Sequence, residues 1–342
     1  MMNVLVAMSG GVDSSVAAAL LRDQGHDVTG VTLRLWGGQI DSGCCSVGDV
    51  EDARRVAAQL DVPHYVFNLA EQFDDSVVGP YVEAHAQGQT PNPCVECNRS
   101  IKFGVLLGRA AALGFDAVAT GHHARVRRAR DGDLRLLRGV DAAKDQSYVL
   151  YMLGQHELAR VMLPIGELTK AEVRAHATRL GLRTASKPES MDVCFVARDE
   201  RRRFLDDRAP GRPGDVVDMG GRLVAHHNGI AHFTVGQRRG LGVAAGERRY
   251  VVDVDAVSAT VTIGRREDLL RTEIPVRDLV WVGAPARGRD LTVQVRAHGQ
   301  PAPGRVVAPD RIVMHEPHPR VASGQVVALY DRDELVGGGI AA

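Results

Sequence analysis

The sequence lacks three features that would assign it to common protein classes. No apolar stretch approaches the roughly 20 residues that a helix needs to cross a bilayer, so no membrane span is predicted. The 42 basic residues balance 42 acidic ones, so the overall charge does not indicate a nucleic-acid partner. Only five cysteines occur, and no N-terminal signal peptide is recognisable, so we expect a reducing, cytoplasmic location rather than a disulfide scaffold.

The chain is long enough for several domains, since its 342 residues are 44% hydrophobic. Strand and helix patterns alternate up to about residue 200, which predicts an α/β domain with a parallel sheet. Prolines and glycines then separate short β-type stretches at 250–253, 260–264, 291–295, 312–315 and 326–330. We predict an α/β domain at 1–207, a small β-rich domain at 208–273 and a C-terminal β-barrel at 274–342.

Individual elements of the first domain follow from hydrophobic periodicity. Strands are predicted at 4–6, 28–36, 64–68 and 117–120, and helices at 16–21, 49–60 and 101–113. Thr169 and Glu172 form a capping box, which predicts a further helix that ends at Gly181.

A glycine-rich turn separates the first strand from the first helix, and residues 7–15 read AMSGGVDSS. Adjacent glycines let backbone N–H groups converge on an anion, and the helix N-terminus adds positive potential, so the predicted ligand is phosphate. The turn lacks both the spacing and the lysine of a Walker A loop, and it is not G-x-G-x-x-G. The pattern S-G-G-x-D-S resembles the loop of enzymes that cleave ATP between the α and β phosphates. A purely structural turn with a Ser or Asp cap is the alternative.

Three cysteines form a second signal. Cys94 and Cys97 lie in PNPCVECNR, where two prolines are expected to hold the thiols in a fixed turn, and Cys194 lies in MDVCF. Structural zinc would require a fourth ligand, which Cys44, Cys45 or a histidine could supply; buried inert thiols are another alternative. Beside an ATP loop, the three thiols favour activation of a substrate followed by sulfur transfer.

Positive charge is concentrated in two places despite the neutral total. One run covers residues 122–138, and a second includes Arg198, Arg201, Arg202 and Arg203. Such runs are either solvated faces or local sites for a phosphate backbone.

Short segments spread over nearly the whole chain match one family in the expected order. They are 8–15, PNPxxxCN at 91–98, IKF at 101–103, TGH at 120–122, KDQSY at 144–148, PES at 188–190 with Cys194 and Phe195, TVGQ at 234–237, SGQ at 323–325 and GGG at 337–339. The chain thereby resembles the bacterial tRNA-specific 2-thiouridylase family, which belongs to the PP-loop ATP pyrophosphatases. The resemblance implies an adenine nucleotide alpha-hydrolase-like fold in the first domain.

The resemblance also implies the activity. ATP with Mg²⁺ would adenylate the C2 oxygen of the wobble uridine in tRNA, and sulfur would replace that oxygen with release of AMP and pyrophosphate. Cys97 matches the nucleophile and Cys194 the residue that carries a persulfide; a Cys97–Cys194 disulfide is one implied outcome. Asp13 and Cys94 are further catalytic candidates, although some family members carry Asp at the position of Cys94.

The implied binding residues form two groups. Those for ATP are Ala7, Met8, Ser9, Gly10, Gly11, Val12, Asp13, Ser14, Leu33 and Gly121. Those for tRNA are Asn92, Pro93, Cys94, His122, Lys144, Asp145, Gln146, Arg296, Ala297 and Gln325.

Several alternatives stay open at this point. Cys94, Cys97 and Cys194 also resemble the three ligands proposed for a 4Fe-4S cluster in some thiolases, so the same thiolation could use a cluster. A PP-loop ligase or amidotransferase that acts on a small molecule would share the loop but would not need the thiols. We expect a cysteine desulfurase or a sulfur-carrier protein as donor, and a monomer. The sequence specifies neither the tRNAs nor the role of Cys44 and Cys45.

Overall fold

The computed structural model describes residues 1–35, 46–188, 193–196, 200–243, 247–297 and 299–342. Several positions singled out above lie outside the described residues, namely Trp36, Cys44, Cys45, Glu189, Ser190, Met191, Asp192 and Arg198. In the part of the chain that is described, no helix is both long and apolar enough to cross a membrane.

The N-terminal region is built on a five-stranded parallel sheet. Its strands and an added hairpin are β1 (Asn3–Ala7), β2 (Asp27–Arg34), β3 (His64–Asn68), β4 (Ala117–Ala119), β5 (Ala124–Arg128), β6 (Leu134–Arg138) and β7 (Val161–Met162). The sheet order is β3-β2-β1-β4-β7, and β5 and β6 form the hairpin. The predicted parallel α/β fold is confirmed; β3 forms at the sheet edge, where Tyr65 is more than half exposed.

Helices cover both faces of this sheet. They are α1 (Val12–Asp23), α2 (Val47–Gln59), α3 (Ala70–Phe73), α4 (Gly79–Ala86), α5 (Pro93–Glu96), α6 (Leu107–Ala112), α7 (Gln155–Leu158), α8 (Lys170–Arg179) and α9 (Arg201–Arg208). Val4 and Val6 of β1 pack in a cluster with α1, α2 and α8, whereas Leu5 faces the opposite cluster. This alternation follows from the two-residue period of a strand. The capping box predicted at Thr169 is present and begins α8.

The helix predicted at 101–113 begins earlier in the structure, at Pro93. A π-helical segment (Cys97–Leu106) joins α5 to α6 without a break. The Asn92 side chain accepts a hydrogen bond from the backbone N–H of Cys94 at 3.0 Å, and Pro93 occupies the first helical position, where its missing N–H costs nothing. The expectation that a turn holds Cys94 and Cys97 is therefore wrong, because the helix carries both thiols.

The rest of the chain forms two β-rich units, as predicted. The first contains β8 (Gly214–Asp218), β9 (Leu223–His227), β10 (Tyr250–Asp255) and β11 (Thr260–Gly264). The second contains β12 (Leu270–Trp281), β13 (Asp290–Gln294), β14 (Ala302–Ala308), β15 (Arg311–Pro319), β16 (Val326–Asp331) and β17 (Glu334–Ala341). Pairing of β12 with β17 closes these last six strands into a barrel. The β5–β6 hairpin joins the barrel sheet alongside β17, so the barrel is attached to the first domain by strand pairing.

Candidate active site

The glycine-rich turn forms an anion cradle between β1 and α1. Gly10 has φ +71°, and Gly11 is the extended residue that caps α1. Because Gly11 has no side chain, no side-chain cap occupies the first N–H groups of α1 in the described structure. The hydroxyl of Ser14 accepts the Ser9 N–H at 3.1 Å, and the Ser15 hydroxyl donates to the Gly11 carbonyl at 2.8 Å. The loop thus has the backbone arrangement that binds phosphate.

Close packing fixes the position of this cradle. A Cβ added to Gly10 would lie 2.9 Å from both the Cα and the carbonyl carbon of Asp49. A Cβ at Gly121 would lie 2.7 Å from the Ser14 nitrogen. Gly121, which the resemblance assigns to ATP, therefore contacts the backbone of the loop directly.

A charged group of three side chains lies at the first turn of α1. The Lys170 ammonium donates to both Asp13 carboxylate oxygens at 2.7 Å, and Nε2 of His123 lies 3.3 Å from Oδ1 of the same carboxylate. Burial raises the pKa of Asp13, but hydrogen bonds from His123 and Lys170 outweigh it and hold this pKa below the ordinary value. His123 is buried, and its Nδ1 has no hydrogen-bond partner among the described residues. Asp13 is therefore ionised at neutral pH.

Lys187 connects the cradle to the segment that leads to Cys194. Its ammonium donates to the Gly10 carbonyl at 3.0 Å and to carboxylate oxygens of Asp49 and Asp52 at 2.6 and 2.7 Å. Burial lowers the pKa of Lys187, but hydrogen bonds to the two carboxylates raise it above its ordinary value. Lys187 therefore stays charged and holds the cradle against α2.

The structure brings two of the three predicted cysteines and one predicted ATP residue together. Cys97 and Leu33 belong to the apolar cluster on one face of the sheet, and Cys194 packs against the same cluster. Within the described residues, no disulfide joins Cys94, Cys97 and Cys194 to one another. Phe195 is 3% exposed. Its ring makes edge contacts with Phe73 and Tyr81 at centroid distances of 5.6 and 5.4 Å, which anchors the residue next to Cys194.

The fit of a metal group can be tested on the side chains present. Within the described ranges, no group of three or more His, Cys, Asp or Glu side chains is arranged to hold a metal ion. A 4Fe-4S cluster held by Cys94, Cys97 and Cys194 stays a prediction, because cluster ligands bind different irons and need not lie as close together as the ligands of one ion.

All three parts of the chain meet at Thr90, just before the PNPC segment. Thr90 donates its N–H to the carbonyl of Ser323 at 2.7 Å and its hydroxyl to the Thr234 hydroxyl at 3.1 Å. The Gln325 amide donates to the Thr90 carbonyl. Two predicted tRNA residues, Gln325 and Arg296, line a cleft of about 340 Å³ between the barrel and the central unit.

Asp145, another predicted tRNA residue, is 8% exposed and lies within a polar network. It accepts hydrogen bonds from Arg138 at 2.8 Å and from the Ser147 hydroxyl at 3.0 Å. Arg138 also donates to Gln294 at 2.7 Å and lies over the Tyr330 ring at 3.6 Å. The Gln294 amide in turn donates to the backbone carbonyls of Arg296 and Ala297 at 3.0 and 3.1 Å. The network thus connects two predicted tRNA segments, and contact of Asp145 with tRNA stays a prediction.

Three more of the predicted tRNA-binding residues, His122, Lys144 and Gln146, lie near the charged group at α1. Gln146 accepts the backbone N–H of His123 at 2.9 Å. His122 is buried, and its Nδ1 lies 2.7 Å from the Thr120 hydroxyl; burial holds the pKa of His122 well below its ordinary value. The backbone N–H of Lys144 donates to the Asp141 carbonyl at 3.0 Å.

Much of the positive charge at 122–138 is compensated within the protein. Arg125 and Arg127 pair with Glu167, and Arg135 pairs with Asp131 and Glu334. The basic run is the β5–β6 hairpin, and its sequence charge overstates the charge that it presents to solvent.

Lys170, His123 and Lys187 are site residues that the sequence did not predict. Lys170 is the first residue after the Thr169 helix cap, and its carboxylate partner is 157 positions away. His123 follows the recognised TGH segment, which was the one local signal that could have identified it.

Comparison with known proteins agrees with this geometry. Family models described as "tRNA methyl transferase HUP domain", "tRNA methyl transferase PRC-barrel domain" and "Aminomethyltransferase beta-barrel domain" match residues 2–198, 202–265 and 271–341. The tRNA-specific 2-thiouridylase MnmA of Roseiflexus castenholzii is 48% identical and aligns over 99% of both chains. The protein of the same name from Chloroflexus aggregans is 49% identical over 99% of this chain and 98% of its own.

One solved structure with a related description is a 4-thiouridine synthetase–RNA complex with bound ATP. It is 18% identical and covers 56% of this chain and 44% of its own, with a TM-score of 0.38. That score is too low to support an argument about this chain.

Proposed function

This chain belongs to the tRNA-specific 2-thiouridylase family, and we propose a route by which it converts the wobble uridine of tRNA to 2-thiouridine. It is an ATP-dependent tRNA sulfurtransferase. The relatives' names carry more weight than the methyl transferase label of the domain models, because each relative aligns with nearly the whole chain in one alignment at 48 or 49% identity. The observation that carries the route is that Leu33 and Cys97 belong to one apolar cluster, and that Cys194 packs against it, in the domain that contains the phosphate cradle.

The first step is adenylation of the uridine. ATP binds at residues 7–14, with Leu33 and Gly121 near its nucleoside part, and the C2 oxygen attacks the α-phosphorus while pyrophosphate leaves. Backbone N–H groups at the start of α1 stabilise the charge that develops on phosphate. Mg²⁺ supplies further neutralisation when bound; it often binds through one or two carboxylates plus phosphates, and Asp13 is the carboxylate of the cradle. Adenylation turns a poor leaving group, the amide oxygen, into AMP.

The second step is sulfur transfer. Cys194 carries a persulfide, and the Cys97 thiolate attacks its inner sulfur; a Cys97–Cys194 disulfide forms and hydrosulfide leaves. Hydrosulfide adds to C2 of the adenylated uridine, and AMP departs. An external thiol then reduces the disulfide. The placement of both cysteines at one apolar cluster supports this route.

The tRNA contacts belong to this proposal. Asn92, Pro93 and Cys94 surround the target base. The base leaves its stack at low cost, because the anticodon loop is single-stranded. His122, Lys144, Asp145, Gln146, Arg296, Ala297 and Gln325 contact or position the anticodon arm. Sulfur comes from a cysteine desulfurase or a sulfur carrier, and the enzyme works as a cytoplasmic monomer.

An isotope experiment tests the order of events. Unmodified tRNA with ¹⁸O at C2 of the wobble uridine is incubated with ATP, Mg²⁺ and a persulfide donor, and AMP is analysed by mass spectrometry. The route predicts that one ¹⁸O appears in AMP for each 2-thiouridine formed. In the Cys194→Ser variant, pyrophosphate release should persist while 2-thiouridine is absent. Formation of 2-thiouridine with unlabelled AMP would contradict adenylation.

A further inference from the structure

The anion cradle at α1 contains a carboxylate where a polyphosphate is expected to bind. Asp13 lies in the first turn of α1, two residues after the capping glycine. An uncompensated carboxylate there would repel the β and γ phosphates of ATP. The Lys170 ammonium offsets this charge and contacts both oxygens at 2.7 Å.

Lys170 is held in place by its own helix end. Its backbone N–H donates to the Asp141 carboxylate at 2.9 Å. The Thr169 hydroxyl accepts the Glu172 N–H at 3.3 Å, and the Glu172 carboxylate accepts the Thr169 N–H at 2.7 Å, so α8 begins with a complete capping box. Only 13% of the Lys170 side chain is exposed. Its ammonium is therefore fixed beside the cradle rather than extended into solvent.

We propose that Lys170 is the phosphate-binding lysine that the glycine-rich loop itself lacks. The ammonium would bind the β and γ phosphates of ATP and stabilise the pyrophosphate as it leaves. Before ATP binds, Asp13 holds the ammonium at the first turn of α1. His123, whose Nε2 lies 3.3 Å from Asp13, keeps the carboxylate partnered when the lysine turns to phosphate. This assignment rests on the proposed function, because it places the leaving group of the adenylation step.

The distinction between ATP and AMP tests the assignment without any thiolation assay. AMP lacks the two phosphates that Lys170 would contact, whereas both nucleotides share the cradle. Equilibrium binding of ATP, AMP and inorganic pyrophosphate to the full-length protein is measured by calorimetry with Mg²⁺ present. Lys170→Met should weaken binding of ATP and pyrophosphate at least about tenfold, the size expected for a charge-assisted hydrogen bond. AMP binding should stay within about twofold of the wild type, and Lys170→Arg should restore part of the loss because it keeps the charge.

Arg179→Met is the matched control, since it removes an exposed cation from the last turn of the same helix and leaves Lys170 and its cap in place. It should leave the ratio of ATP to AMP affinity unchanged. Equal loss of ATP and AMP affinity in Lys170→Met would show a structural role and overturn the assignment, as would unchanged affinity for both. Retained AMP binding also shows that the variant is folded. If ATP and AMP binding separate as expected but no tRNA is thiolated, the assignment stands and the proposed function fails.

Discussion

Replacement of Gly10 by alanine should specifically damage the phosphate cradle. Gly10 has φ +71°, in the left-handed region that favours glycine, and its Cα faces the backbone of Asp49 at the start of α2. An added Cβ would lie 2.9 Å from two Asp49 backbone atoms, whereas ordinary contact begins at 3.4 Å. The loop or α2 must therefore shift by about half an ångström or more, as overpacking requires.

The expected cost has two parts. Placing alanine in the left-handed region costs about 1–2 kcal/mol, and overpacking adds about 1–3 kcal/mol. Gly11→Ala is the matched control: its φ is −91°, and its nearest atom is the Ser9 hydroxyl at 3.5 Å, so it should cost less than about 1 kcal/mol.

Thermal unfolding of both variants gives the comparison. A total of about 2–5 kcal/mol corresponds to a Tm lower by roughly 4–20 °C for a domain of this size, against a few degrees for Gly11→Ala. Equal Tm values for the two variants would refute the claim that α2 packs against the loop at Gly10. Restored stability of Gly10→Ala on addition of saturating ATP would agree with a folded but strained cradle.

Three further predictions concern other contacts of the site. Lys187→Met should lower the free energy of unfolding by roughly 1–3 kcal/mol at pH 7, because two partly buried carboxylates lose their shared cation; urea unfolding measures it. Burial lowers the pKa of His85 to about 3, so the folded state stays unprotonated while the unfolded state gains a proton below about pH 6.5. His85→Leu should therefore reduce the loss of Tm between pH 7 and pH 5. Gln325→Ala should speed amide hydrogen exchange at Thr90, since a contact worth about 1 kcal/mol is lost.

Each of these has a control and a contrary outcome. Arg54→Met removes an exposed cation on the same helix as Asp49 and should change the free energy of unfolding by less than about 0.5 kcal/mol. An equal loss of unfolding free energy in both variants would contradict the claim that the contacts of Lys187 with Asp49 and Asp52 stabilise the fold. His156 is exposed, so His156→Leu should not change the loss of Tm between pH 7 and pH 5. An unchanged loss of Tm in His85→Leu would contradict the burial argument. Unaltered exchange in Gln325→Ala would mean that the barrel does not anchor this segment.

Local sequence rules predicted the elements that depend on local interactions. The glycine turn, the strand before it and the capping box at Thr169 were located correctly, because a few neighbouring residues determine each of them. The helix start at Pro93 is not predicted, because the two prolines of this segment indicate a turn, whereas in the structure Asn92 caps a helix there. A proline begins a helix when the residue before it caps the first turn, as Asn92 does here.

Contacts between distant parts of the chain could not be predicted. Lys170 reaches Asp13 across 157 positions, and Gln325 reaches Thr90 across 235. Neither residue has a local pattern that indicates its partner, because the fold alone brings them together. The burial of Asp145 and His122 likewise depends on packing that a single sequence does not encode locally.

Thiolation of unmodified tRNA by iron-free protein tests the central claim most directly. The protein, freed of metal, receives ATP, Mg²⁺ and a persulfide donor under anaerobic conditions, and 2-thiouridine is quantified by mass spectrometry. Cys97→Ala and Cys194→Ala are compared with a Cys44→Ser, Cys45→Ser double variant. The account predicts 2-thiouridine in the wild type and the double variant and none in the two single variants. Product only after iron–sulfur reconstitution, or persistent product in Cys97→Ala or Cys194→Ala, would contradict it.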